Sequence, residues 1–294
     1  MLKRLADAFP DAVAQLTLQY RMHEDICLLS NLVVYEGKLK CATDEVRSKR
    51  LLLPSYPRSL RNICNKSSIG LGWLLPVLNP GKAVVFVNTD NIGSNSDASF
   101  HGLEISQGHS RRGGGTVNEV EAKLTRLIVH GLQTCGLDSK SIGVICPYRS
   151  QVSLGCKSLA RRFQIAYEIS SLFFFYKLKL LDSDPFLSSG KKAGLEVSTI
   201  DRYQGRDKET IVLSLIRSNE MGRTGKLLED FRRMNVAFSR AKRKLIIIGS
   251  YRTLSMGSQV LQPVLREIME RSWIENLPKN AIEIYKEPVC NFGQ

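Results

Sequence analysis

The chain has 294 residues, 43% of them hydrophobic, which is enough for one large or two modest domains with packed cores and excludes wholesale disorder. Its 42 Lys and Arg against 28 Asp and Glu leave a net charge of +14, which favours a polyanionic partner such as nucleic acid, although a generally basic surface would carry the same charge. The seven cysteines form no C-x-x-C pair, which argues against a zinc site and against a disulfide scaffold. The longest apolar run, at residues 169–181, is interrupted by Lys177 and Lys179, so no membrane span is predicted.

Short apolar runs alternate with helical patterns along the chain, which is typical of a parallel sheet flanked by helices. The strand patterns lie at residues 83–88, 142–146, 196–200, 210–216 and 244–249. The helical patterns lie at residues 23–34, 117–132, 150–163, 228–240 and 261–272. Two stretches that break the alternation, 91–115 and 165–195, are predicted to be insertions. We therefore predict an α/β domain with a mostly parallel sheet.

The segment EVSTIDRYQGRDKE, at residues 196–209, joins two predicted strands through a Gln-Gly turn. Because ligands of α/β sheets bind beyond the carboxyl ends of the strands, we expect this turn to face a site at that edge. Gly205 allows a ligand to approach the backbone closely, and Gln204 can bond a phosphate oxygen or water. A tight structural turn with an Asx cap is the alternative.

The segment RRMNVAFSRAK, at residues 232–242, is predicted to place its arginines on the helix that leads into the strand at 244–249. A planar guanidinium can donate two parallel hydrogen bonds to a phosphate, which a lysine cannot do. Arg240 is therefore the first candidate for a phosphate contact and Arg233 the second. A solvated basic helix face is the alternative.

With LQYRMH at residues 18–23, these segments resemble motifs IV, V and VI of superfamily 1 helicases. The amino-acid sequences of these motifs are most similar to those of the eukaryotic DNA replication ATP-dependent helicase/nuclease family, and the resemblance runs from about residue 16 to residue 249. It implies a RecA-like domain of the P-loop NTPase fold, the second of two motor domains between which ATP binds.

The resemblance also implies roles for individual residues. The implied catalytic residues are Arg240, an arginine finger on the γ-phosphate, and Arg21, a second phosphate sensor. The implied ATP-binding residues are Tyr20 against the base or ribose, Gln204, Gly205, Asp207 at the ribose, and Arg233. The implied nucleic-acid-binding residues are Ser198, Thr199, Tyr148 and Arg149, the last two from the segment IGVICPYRSQ at 142–151, where a structural turn is an equal alternative.

The sequence lacks the phosphate-binding half of such a motor. No Gly-Lys pair has the G-x-x-x-x-G-K-[ST] frame of a P-loop, and no apolar strand ends in Asp-Glu. We therefore predict a second motor domain at residues 17–272, a remnant of a preceding domain or linker at 1–16, and a tail at 273–294. ATP and Mg²⁺ are expected to be held mostly by a missing first RecA-like domain, and the chain alone is expected to be inactive.

The intact protein is expected to be a nuclear 5′-to-3′ DNA helicase/nuclease of replication and repair that binds single-stranded DNA and no membrane. Its first RecA-like domain and its nuclease domain are the expected partners of this chain. The family carries an iron–sulfur cluster on cysteines of its nuclease part, and none is expected here. The motifs do not distinguish DNA from RNA, so an RNA helicase of the same superfamily is one alternative. A non-catalytic fragment is another.

Overall fold

A computed structural model describes residues 4, 8–14, 16–66, 71–92, 105–106, 116–149, 151–152 and 194–282. The strands in these residues are β1 Leu18–Gln19, β2 Lys40–Cys41, β3 Val84–Asn88, β4 Ile105–Ser106, β5 Thr116–Val117, β6 Ile142–Cys146, β7 Glu196–Thr199, β8 Lys208–Ser214, β9 Ala241–Gly249 and β10 Ile274–Asn276. The α-helices are α1 Glu24–Ser30, α2 Asp44–Arg47, α3 Arg58–Lys66, α4 Leu74–Leu78, α5 Glu119–Thr134, α6 Phe231–Phe238, α7 Tyr251–Gly257 and α8 Gln262–Glu270. A π-helix at Asn31–Tyr35 continues α1.

Six strands form the main sheet, in the order β10-β3-β9-β8-β6-β7. Every neighbouring pair in it is parallel. The strands are not in chain order, so crossover connections join them, and helices pack on both faces of the sheet. The predicted α/β fold with a mostly parallel sheet is therefore confirmed.

The core has two layers because each central strand is buried on both faces. On β9, Ile246 and Ile248 pack into the layer beneath α5, while Leu245 and Ile247 pack into the opposite layer with α1, α6 and α8. All four side chains are almost fully buried. This two-sided burial explains why the strands appear in the sequence as continuous apolar runs.

Predicted and observed boundaries agree best where the apolar run is the whole element. The strand predicted at 142–146 is observed without change. In contrast, β8 and β9 begin earlier than predicted, at Lys208 and Ala241, because charged residues occupy their first positions. The guanidinium of Arg243 on β9 pairs there with the carboxylate of Glu209 on β8, so these charges satisfy one another across the two strands.

The residues directly after 272, where the sequence predicts a tail, add a strand to the main sheet. β10 pairs in parallel with β3, and Trp273 and Leu277 on either side of it are buried. A short edge strand carries too few apolar residues to reveal itself by periodicity. The predicted helix at 150–163 lies outside the described residues except for 151–152, and so does the stretch 165–195 except for 194–195.

No helix within the described part of the chain is both long and apolar enough to cross a membrane.

Candidate functional site

The turn that follows β1 is organised by one side chain. The carboxamide oxygen of Gln19 accepts hydrogen bonds from the backbone N–H groups of Arg21, at 2.8 Å, and Met22, at 2.7 Å. Its Nε2 donates to the carbonyl of Met22 at 2.8 Å. This turn directs the Met22 side chain into the core and leaves Tyr20 70% exposed. The hydrogen bonds of Gln19 therefore explain why Tyr20 and Arg21 lie side by side on the surface, as predicted.

A backbone hydrogen bond joins the same turn to the main sheet. The backbone N–H of His23 donates to the carbonyl of Lys242 at 2.9 Å, close to the start of β9. His23 also caps α1, since its Nδ1 accepts from the N–H of Asp25 at 3.2 Å. The position of Arg21 is therefore set by β9 and not by its chain neighbours alone.

The connection from β7 to β8 carries the chain back across the sheet. It contains the 3₁₀ turn Asp201–Tyr203, whose Tyr203 is fully buried. A Cβ added at Gly143 would lie 2.1 Å from the Tyr203 hydroxyl, so only glycine at that point of β6 leaves room for the ring. Gln204, Gly205 and Asp207 consequently lie at the amino end of β8.

This position corrects the expectation that the Gln-Gly turn would face the carboxyl edge. That expectation treated the turn as the end of β7, whereas the turn is the approach to β8. The carboxyl-end rule holds for loops that leave a strand and pass into a helix. Here two parallel strands are joined by a short link that must return to the starting edge before the second strand can begin.

Arg240 also differs from the prediction. The helix α6 ends at Phe238, so Arg240 lies beyond it, directly before β9. Its side chain is 9% exposed. Its Nε donates to the carbonyl of Val236 at 3.0 Å, Nη1 to that of Arg206 at 3.2 Å and Nη2 to the Ser239 hydroxyl at 2.8 Å. The alternative of a solvated basic helix face is thereby excluded for Arg240.

Basic groups converge on Asp207. Arg21 Nε lies 3.1 Å from one carboxylate oxygen and Lys242 Nζ lies 2.9 Å from the other. Burial raises the pKa of Asp207, but the hydrogen bond from Lys242 and the charges of Lys242, Arg21 and Arg240 outweigh it, so that the pKa lies below its ordinary value. The carboxylate is therefore ionised at neutral pH.

The cluster of Arg21, Arg240 and Lys242 has more positive than negative charge. Burial lowers the pKa of the Arg240 guanidinium, and the neighbouring Arg21 charge lowers it further. Like charges held this close repel one another, and one carboxylate compensates only part of that repulsion. An additional anion with several acceptor oxygens, such as a phosphate group, would complete the compensation and could accept paired hydrogen bonds from the guanidinium groups.

Two more of the predicted residues lie beside this cluster. Gly205 has φ +82°, which favours glycine, and a Cβ placed on it would meet no atom within 4 Å. Its backbone is thus open to approach from solvent, and Gln204 next to it is exposed. Arg233, in contrast, pairs with Asp201, with 3.0 Å between Nε and the carboxylate, on the first turn of α6.

The predicted nucleic-acid residues lie toward the opposite edge. Thr199 ends β7 and is level with Cys146, the last residue of β6, and Ser198 is one position earlier on β7. Tyr148 and Arg149 follow β6 at the same end. The seven residues of β8 separate the two edges by about 23 Å, since a strand rises about 3.3 Å per residue. The structure thus divides the predicted residues into two groups.

Lys242 is the cluster member that the sequence reasoning did not select. Lys242 is the last residue of the segment at 232–242, and it was not selected because the sequence analysis favoured arginines as phosphate contacts. Its ion pair with Asp207 is visible only once β8 and β9 are paired, with Lys208 opposite Ala241, the residue before Lys242. Among the described residues, no three His, Cys, Asp or Glu side chains are grouped as a metal site would require.

The parallel six-stranded sheet, flanked by helices on both faces, defines an α/β domain of the RecA-like class. The chain belongs to the AAA domain family, whose model matches residues 1–252.

Proteins similar to this chain come from the helicase/nuclease family that the motifs indicated. The chain is 35% identical over 288 residues to the DNA replication ATP-dependent helicase/nuclease DNA2 of Saccharomyces cerevisiae, covering 98% of this chain and 16% of that protein. It is 36% identical over 279 residues to the DNA replication ATP-dependent helicase/nuclease of Arabidopsis thaliana, with 94% and 17% covered. It is 32% identical over 286 residues to that of Homo sapiens, with 96% and 23% covered. The predicted resemblance is confirmed, and the chain spans about a fifth of the length of these relatives.

Proposed function

We propose that the chain is the C-terminal motor domain of an ATP-dependent 5′-to-3′ DNA helicase/nuclease that acts in replication and repair. The observation that carries this proposal is the convergence of Arg21, Arg240 and Lys242 on Asp207 at the amino ends of β8 and β9. These side chains belong to three segments that are far apart in the sequence. A cluster with excess positive charge is what a site for the terminal phosphates of ATP requires.

In this proposal Arg21 and Arg240 contact the γ-phosphate side of ATP. Arg240 donates hydrogen bonds to the carbonyls of Val236 and Arg206, and these bonds orient its guanidinium before ATP binds. Asp207 serves as an internal anion that keeps Arg21 and Lys242 in place. Tyr20, Gln204 and Gly205 would lie along the nucleotide. Arg233 would act from the start of α6, where it is paired with Asp201.

The carboxyl edge is the proposed track for a single strand. Tyr148 offers an aromatic face for a base, and Arg149, Ser198 and Thr199 offer donors for the phosphodiester backbone. A nucleotide at one edge of the sheet and a nucleic acid at the other would let a rotation of the whole domain couple the two ligands.

We infer that the substrate is DNA because the relatives are named DNA replication helicase/nucleases. In this proposal the motor domain begins at residue 17, after a remnant of a preceding domain or linker, and it includes β10, which pairs with β3. A first RecA-like domain and a nuclease domain elsewhere in the intact protein would hold most of the ATP and Mg²⁺. The intact protein would act in the nucleus.

A chimera tests this proposal. This chain replaces the matching segment of the Saccharomyces cerevisiae relative, and ATP hydrolysis is measured with and without single-stranded DNA. We expect DNA-stimulated hydrolysis by the chimera, its loss on Arg21→Ala, and no measurable hydrolysis by the chain alone. Arg271→Ala is the matched control, since that arginine pairs with Glu267 on α8. A folded chimera without activity, or one indifferent to Arg21→Ala, would contradict the proposal.

A further inference from the structure

A strained turn follows β8 directly. The N–H of Arg217 donates to the carbonyl of Leu215 at 2.8 Å, and Ile216 between them has φ +73°. This is a γ-turn with positive φ at its centre, a rare and strained conformation. For a β-branched residue it is an outlier, so the surrounding structure must enforce it.

Two buried side chains hold Ile216 by both of its backbone polar groups. Glu121 Oε2 accepts from the N–H of Ile216 at 2.9 Å and from the hydroxyl of Ser214 at 2.6 Å. Asn118 Nδ2 donates to the carbonyl of Ile216 at 3.1 Å. Glu121 and Asn118 are 0% and 1% exposed. We call these two residues the β8 clamp.

The β8 clamp also ties other elements to this point. The Asn118 side-chain oxygen caps α5 by accepting from the N–H of Glu121 at 3.0 Å. The backbone of Asn118 exchanges two hydrogen bonds with the Gln151 carboxamide, at 2.8 and 2.9 Å, in the segment that follows β6. The clamp therefore sets the start of α5, the end of β8 and the exit of β6 relative to one another.

The turn determines where the next loop lies. Arg217 Nε donates to the carbonyl of Arg223 at 2.9 Å, and the Asn219 side chain accepts from the N–H of Arg223 at 2.8 Å. Farther along, a Cβ added at Gly225 would lie 3.1 Å from the Tyr148 hydroxyl, so the loop passes directly beside Tyr148. Its exposed side chains include Arg223 and Lys226.

We propose that Glu121 and Asn118 are positioning residues for single-stranded nucleic acid. By holding Ile216 in the γ-turn, they place the basic loop 217–226 next to Tyr148, where Arg223 and Lys226 bind phosphates of the strand. This inference rests on the proposed function of the carboxyl edge.

The experiment measures binding of a fluorescein-labelled oligo(dT) to the 294-residue chain over a range of salt concentrations. Glu121→Leu removes the acceptor, and Asn118→Ser removes the donor to Ile216 while its hydroxyl can still cap α5. We expect both variants to bind more weakly, with a plot of log K against log[salt] that is flatter by about 0.7 for each phosphate that the variant no longer binds. Glu121→Gln keeps an oxygen acceptor for Ile216 and should restore affinity and slope.

Glu119→Gln is the matched control, because Glu119 is exposed on the same turn of α5. A structural role alone would lower the melting temperature and leave the salt slope of the folded protein unchanged, which would overturn the inference. If Glu121→Leu does not fold, Asn118→Ser decides by the same criterion. Salt-independent binding, or none, by the unaltered chain would instead refute the proposed carboxyl-edge track.

Discussion

Arg21 and Asp207, which are far apart in the sequence, form an ion pair with 3.1 Å between Nε and the carboxylate. Lys242 occupies the other carboxylate oxygen at 2.9 Å, so Asp207 is shared between two cations. Because Arg240 also contributes to the potential at this carboxylate, the pair is the centre of a larger cluster. Its response to substitution follows from this arrangement.

Asp207→Asn should destabilise the chain and increase its affinity for a phosphate chain. The variant removes the carboxylate around which Arg21, Arg240 and Lys242 gather, so the three cations repel one another until another anion binds. Both partners are partly exposed, so the loss in unfolding free energy should be no more than about 1 kcal/mol. Calorimetric titration with inorganic triphosphate should give tighter binding than to the unaltered chain. Glu267→Gln, which removes a carboxylate paired with Arg271 outside the cluster, is the control, and an equal gain there would contradict the assignment.

The same variant carries a pH signature. The pKa of Asp207 in the folded chain is below its ordinary value of 3.8, so its stabilising contribution is present above that value and is lost as the pH falls through the folded pKa. The difference in unfolding free energy between the unaltered chain and Asp207→Asn should therefore disappear in acid. A difference that persists well below the folded pKa would argue for a packing effect.

Arg240→Ala, introduced into the active chimera, should lower kcat by about 10³ to 10⁵, the range for an arginine finger, with a much smaller effect on ATP affinity. Arg240→Lys should restore little, because an ammonium reproduces neither the fork on phosphate nor the bonds to Val236 and Arg206. Arg243→Ala is the control, since Arg243 pairs with Glu209. Equal, small losses for Arg240→Ala and Arg243→Ala in steady-state kinetics would sink the arginine-finger role.

Tyr148→Ala should weaken binding of single-stranded DNA by about 1–3 kcal/mol, the range for loss of one base–aromatic stack. Tyr148→Phe keeps the ring and should bind almost normally, which separates stacking from any role of the hydroxyl beside Gly225. Fluorescence anisotropy at constant salt measures both. A lower melting temperature for Tyr148→Ala with unchanged DNA affinity would favour the structural-turn alternative.

Lys244 predicts a rise in stability with pH. It is fully buried on β9, where its Nζ donates to the carbonyls of Asn79 at 2.8 Å and Lys82 at 2.6 Å. Burial, and next the Lys82 charge, lower its pKa from 10.5 to about 7. Between these two values the unfolded chain binds a proton that the folded chain does not, so this group makes the unfolding free energy increase with pH.

Lys244→Met should flatten that increase. Denaturant unfolding of both proteins between pH 7 and pH 10 measures it, because other groups contribute equally and cancel in the difference. Lys140→Met, at an exposed position, should leave the slope unchanged. The prediction is wrong if the two lysine variants give the same pH dependence.

The sequence by itself determined the class of fold, and it selected the arginines that we propose contact phosphate. Continuous apolar runs such as 142–146 report burial on both faces of a strand, which is a local property of the chain. The arginines of the motifs could be selected because guanidinium geometry suits phosphate wherever the chain places it. The sequence analysis did not select Asn118 or Glu121, because nothing in the sequence indicates that the Glu121 carboxyl group turns toward β8.

Only the tertiary structure decided which edge of the sheet each group occupies. The link from β7 to β8 returns to the amino edge with Tyr203 of its 3₁₀ turn packed on Gly143 of β6, a contact between distant segments that no local pattern reveals. The end of α6 at Phe238, which frees Arg240 from the helix, and the shared carboxylate of Asp207 likewise depend on how β8 and β9 pair. Periodicity reports burial along one element, whereas the meeting of charges from distant segments depends on strand order and crossovers, which are set by the packing of the whole core.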